Sequence, residues 1–77
     1  MSTFAERLRE LRQERGLSMK ELAEKIQVTD GAICNWENDA NEPKLTHINR
    51  LAIFFDVSSD YLIGLEDETG AKTRNLK

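Results

Sequence analysis

An all-α fold of five short helices is predicted by three features of this sequence. A hydroxyl residue followed three positions later by glutamate occurs at Thr3 to Glu6 and again at Ser18 to Glu21. In that arrangement the two side chains reciprocally satisfy the orphan amides of a helix start. Apolar residues recur at helical spacing rather than alternating. Four glycines and one proline in 77 residues are too few for a linker-rich or disordered chain.

The first helix starts at the Thr3 box, carries Phe4, Leu8 and Leu11 as its apolar stripe, and stops where Gly16 supplies a left-handed residue. The second starts at Ser18, turns Leu22, Ala23 and Ile26 inward and ends near Gln27. Thr29 caps a third, on which Thr29, Ile33 and Trp36 point inward. Residues 38–42 read as a polar loop, and Pro43 cannot continue a helix. Beyond it Leu45, Ile48, Leu51, Ala52 and Phe55 keep the period of a fourth helix. Ser58 caps a short fifth, Tyr61 to Ile63, which Gly64 closes. Residues 3–65 are thus expected to form one domain and residues 66–77, with Leu76 as the one sizeable apolar residue, a frayed tail.

Size and composition narrow the function. A chain of 77 residues folds to roughly 4,800 Å² of surface, enough for one small domain with little room for a catalytic cleft. The single Cys34 excludes an internal disulfide framework and a cysteine-cluster zinc site. No nucleophile has a neighbouring base, and no glycine-rich phosphate loop is present, so an enzyme is not expected. No apolar run approaches the roughly 20 residues that span a bilayer, and the N-terminus lacks a signal-peptide core, which places the chain in the cytoplasm. His47 has no second ligand residue nearby and reads as a surface histidine, and no metal, cofactor or small-molecule ligand is expected.

The net charge of −3 argues against a nucleic-acid partner only as a total. Residues 1–25 carry six basic side chains (Arg7, Arg9, Arg12, Arg15, Lys20, Lys25) against five acidic, and residues 26–43 carry none against four (Asp30, Glu37, Asp39, Glu42). Only Gln27 and Val28 separate the second helix from the Thr29 cap, too few for an antiparallel hairpin and suited to two helices that cross steeply. Gly16-Leu17-Ser18, Glu21-Leu22-Ala23, Ile33 with Trp36-Glu37, Pro43 and the ending Asp60-Tyr61-Leu62-Ile63-Gly64 together resemble the Cro and phage-repressor type of helix-turn-helix protein, the xenobiotic-response-element family. The resemblance extends over residues 4 to 65. It implies a five-helix lambda-repressor-like bundle, a homodimer, and a third helix laid in the major groove of operator DNA.

At 100° per residue, Asp30, Gly31, Cys34, Asn35 and Asn38 share the outward stripe of the third helix. The resemblance implies base reading by Asp30, Gly31 and Asn35, with Ala32 at the margin. Asparagine pairs bidentately with adenine, and aspartate accepts from the cytosine amino group. Met19, Lys20, Thr29, Asn38 and Lys44 fall at the expected phosphate-facing positions, and the resemblance pairs Arg12 with Glu37 across the first and third helices. Two departures weaken the expected affinity. Met19 stands where relatives usually place a glutamine, and Asp39 and Glu42 set carboxylates in a loop that is often basic. With Lys20, Lys44 and the first-helix arginines as remaining cations, about 3 to 5 phosphate contacts per protomer are expected. Ile53 falls off the inward stripe of the fourth helix and, with Phe54, Leu62 and Leu65, suggests an apolar dimer patch. Cys34 is small-residue filler, since no basic residue lies within helical reach to activate it.

These readings converge on a sequence-specific double-stranded-DNA-binding transcriptional regulator, a repressor on a palindromic operator. The alternatives are an antitoxin-type regulator whose segment from Glu66 folds on a toxin, and an interaction module of the same fold that has lost DNA binding.

Overall fold

The computed structural model describes residues 3–65. The expected tail at 66–77 lies outside the described residues. Five helices follow in order: α1 (Thr3–Glu14), α2 (Met19–Ile26), α3 (Asp30–Glu37), α4 (Leu45–Phe55) and α5 (Ser59–Ile63). α2 packs on α3 and α4, α1 covers α3 and α5, and α4 also meets α5. Their shared centre is Leu8, Leu22, Ala23, Ile26, Ile33, Trp36, Leu51, Ala52, Phe55 and Leu62.

The helix starts follow the hydroxyl signals. At Ser18 both halves of the capping box form: Glu21 N–H donates to the Ser18 hydroxyl at 3.0 Å, and Ser18 N–H donates to Glu21 Oε1 at 2.8 Å. These bonds, the one from the Ser18 backbone above all, hold the Glu21 carboxyl below the usual carboxylate range. Thr29 and Ser58 accept from the amides of Ala32 and Tyr61 at 3.1 and 2.9 Å.

All five helices end the same way. Gly16, Gln27, Asp39, Asp56 and Gly64 are left-handed. After each, the next amide reaches back five residues: Leu17 to Arg12 O, Val28 to Ala23 O, Ala40 to Asn35 O, Val57 to Ala52 O and Leu65 to Asp60 O, at 2.7 to 3.1 Å. This is the Schellman closure, which satisfies carbonyls the helix leaves open. Gly64 is required twice over, because a Cβ there would also come within 3.2 Å of the Thr3 side chain.

The structure corrects five sequence expectations. α1 already includes Thr3, so Thr3 is its first residue rather than its cap. Thr29 is exposed, because its hydroxyl is turned back to the Ala32 amide instead of inward. Leu45 is 70% exposed, on the outward side of a first turn of α4 whose inward contacts are made by His47 and Ile48. Leu62 is fully buried as the anchor of α5 and contributes nothing to a surface patch. His47 is half-buried with its ring centroid 5.2 Å from that of Trp36, so it is more than a surface residue.

Candidate nucleic-acid interface

α3 divides into two faces. Ile33 and Trp36 are buried among α1, α2 and α4, while Asp30, Gly31, Asn35 and Asn38 are exposed on the other side. Cys34 is half-buried between the faces and accepts a hydrogen bond from Asn38 Nδ2 at 3.3 Å. Ala32 is half-buried against the core and offers a groove only part of its methyl surface. The face therefore presents an aspartate and two amides around a residue with no side chain.

α3 is fixed by a buried ion pair. The Glu37 carboxylate is fully buried and takes a two-pronged bond from Arg12, Nε to Oε2 at 2.6 Å and a terminal nitrogen to Oε1 at 2.9 Å. That bond to Glu37 raises the already high pKa of Arg12. Arg9 adds a bond to the Glu37 carbonyl at 3.0 Å and a contact to Oε1 at 3.6 Å. Planar guanidinium-to-carboxylate geometry fixes orientation as well as distance, so α3 is pinned in rotation. Arg12 also donates to Leu17 O at 2.8 Å and ties the start of α2 to the same anchor.

The turn between α2 and α3 depends on Gln27, at φ 65° and ψ 47°. A non-glycine residue pays roughly 1 kcal/mol for this conformation. The turn folds the end of α2 directly into the start of α3 so that the two helices pack together, and Lys20 in the first turn of α2 is exposed. Lys44 caps the start of α4 through its backbone alone and leaves its side chain exposed. Met19 is different: its side chain packs against the core, so only its backbone amide is available to a phosphate.

Two first-helix arginines are engaged within the fold. Arg7 donates to Tyr61 O and lies 4.2 Å over the Tyr61 ring, and Arg15 donates to Phe54 O and Phe55 O at 3.3 and 3.2 Å. Of the expected dimer residues, Ile53 is 81% exposed, Phe54 is half-buried and Leu65 is 41% exposed, without the buried Leu62. None of the described helices is long and apolar enough to cross a membrane.

Two short helices meeting through a left-handed residue, with the second showing a polar face braced from behind, define a helix-turn-helix domain. The helix-turn-helix family model matches residues 8–62. Over 76 residues the chain is 38% identical to YobD of Bacillus subtilis, an uncharacterised HTH-type transcriptional regulator, covering 96% of this chain and 68% of that one. It is 36% identical to the HTH-type transcriptional regulator ImmR of the same organism, over 91% of this chain and 54% of the relative. The fold superposes on the P22 c2 repressor, solved in complex with a synthetic operator, with a TM-score of 0.75 and 28% identity over 78% of this chain and 91% of that one. The chain belongs to the helix-turn-helix family of DNA-binding transcriptional regulators.

Proposed function

We propose that the chain is a repressor that binds a palindromic operator as a homodimer, in the cytoplasm and without a catalytic step. The observation that carries this reading is the exposed stripe of Asp30, Gly31 and Asn35 on a helix held in rotation by the buried Arg12–Glu37 pair. Asn35 reads adenine, Asp30 accepts from cytosine, and Ala32 meets the groove at its margin. Lys20, Asn38 and Lys44 contact phosphates, joined by the amides at the starts of α2 and α4 and by the Thr29 turn. Residues 3–65 suffice for this binding. Ile53, Phe54 and Leu65 are covered by the second copy, which sets half-sites one helical turn, about 34 Å, apart.

Selection of bound sites from random duplexes, followed by footprinting, tests the reading. A two-fold symmetric site with protected half-sites supports it, and recovery of no sequence at low salt defeats it. A second reading is favoured by one observation: Asp39 and Glu42 are exposed beside α3 while the first-helix arginines are engaged internally. On that reading the same face docks a protein, and low-salt binding to a mixed duplex library separates the two.

A further inference from the structure

Gly31 lies inside α3, where glycine is a poor helix former, and nothing within the fold asks for it. Its φ is ordinary, for the left-handed glycines are Gly16 and Gly64. A Cβ built on Gly31 would meet only Thr29 Oγ1, at 3.9 Å, an ordinary contact. The position is exposed, and it lies one turn before Asn35 on the same stripe. The missing side chain thus leaves a notch in the outward face, with the Thr29 hydroxyl on one side and Asn35 on the other.

We infer that this notch is a specificity element that admits the 5-methyl group of a thymine against the Gly31 Cα, which rests on the proposed reading of α3 as the groove-facing helix. The chemistry of the notch selects its occupant. A Cα offers no useful hydrogen bond, so a base edge that presents a donor or acceptor there is left unpaired. Among major-groove groups the thymine methyl is the apolar one. The Thr29 hydroxyl accepts from the Ala32 amide and keeps its own O–H to donate, so the polar edge of the notch lies at Thr29 while its floor, the Gly31 Cα, is apolar. Gly31 therefore sets selectivity by absence, letting α3 sit one methyl's depth closer to the base pairs than alanine would.

The test pairs Gly31→Ala with replacement of each operator thymine in turn by uracil, using the full chain and the duplex recovered by selection. The alanine variant should melt at or above the wild-type temperature, since its Cβ meets nothing closer than 3.9 Å. On the thymine operator it should bind about 5- to 150-fold more weakly, the range of a mismatched base pair. Wild type should lose about fourfold at one uracil, the worth of one buried methyl, and the alanine variant should lose nothing or gain at that same position. Unchanged affinity of Gly31→Ala on an operator that wild type binds tightly overturns the notch and leaves the DNA reading intact. A loss in the alanine variant that no uracil alters overturns the methyl assignment. Failure of wild type to bind any selected duplex overturns the DNA reading and this inference together.

Discussion

Replacing Glu37 by alanine isolates the contribution of the anchor behind α3. The carboxylate is fully buried, and Arg12, whose side chain is only 13% exposed, loses both prongs of its bond. One acceptor remains to it, Leu17 O at 2.8 Å. Removing one partner of a buried pair costs about 3 to 5 kcal/mol, because the other charge is left desolvated. At about 0.05 to 0.15 kcal/mol per residue, a domain of this size holds roughly 3 to 9 kcal/mol in total. Glu37→Ala should therefore remove at least about a third of the stability, and all of it at the low end of that range. Replacing both partners by apolar residues of similar volume, Arg12→Met with Glu37→Leu, leaves no buried charge and should recover most of the loss. Urea melts followed by fluorescence of the buried Trp36 read all three proteins on one probe. A loss below about 1 kcal/mol in Glu37→Ala, or a double variant no more stable than Glu37→Ala, would refute the anchor.

Gln27→Gly should raise stability by up to about 1 kcal/mol, the relief of left-handed strain less the entropy glycine adds to the unfolded chain, and denaturant melts check it. Ile53→Asp should hold the protein monomeric at a concentration where wild type sediments as a dimer; identical sedimentation of the two removes this interface. Glu21 has its pKa lowered by the Ser18 cap, so its contribution is present above the ordinary value of 4.5 and fades as pH falls through the lower folded value, with chemical shifts of Ser18 and Glu21 as the readout. With Lys20 and Lys44 the exposed lysines at the proposed DNA face, log affinity should fall against log salt with a slope of about −2 per protomer, shallower than the sequence alone suggested.

Local signals in the sequence account for much of this fold. The Ser18, Thr29 and Ser58 caps are read from a few neighbouring residues, because each interaction spans five positions or fewer. Misplacements arose where periodicity outran packing. Leu45 keeps the α4 period but faces outward, since His47 and Ile48 make the inward contacts of that turn, and α5 is too short at five residues for any period to show that Leu62 is its buried side. Asp39 and Asp56 went unnoticed as helix closers, although a lone polar residue between Phe55 and Val57, just before the Ser58 cap, is a legible stop signal. At the candidate site, the outward stripe of α3 follows from its period, whereas the Arg12–Glu37 pair, 25 positions apart, came only through family resemblance. The packing of Met19 against the core and the notch at Gly31 needed the assembled structure.

The arginines show why charge totals were a poor guide to the site. α3, α4 and α5 have no basic residue in their own last turns, where the helix dipole favours one. The cation comes from elsewhere in the chain: Arg9 donates to Glu37 O at the end of α3, Arg15 to Phe54 O and Phe55 O at the end of α4, and Arg7 to Tyr61 O in α5. Arg50 does the same for α2 through Ile26 O at 3.2 Å. Helices this short leave a large share of their carbonyls without intrahelical partners, and a guanidinium with five donors can satisfy two of them at once. Four of the six basic residues among the first 25, all of them α1 or α1-end arginines, thus bind carbonyls or a carboxylate of other segments, which makes α1 a clasp on the fold. On the proposed reading the DNA face then holds Lys20, Lys44 and the amides at the starts of α2 and α4, and discrimination between sequences rests on the shape and polarity of α3.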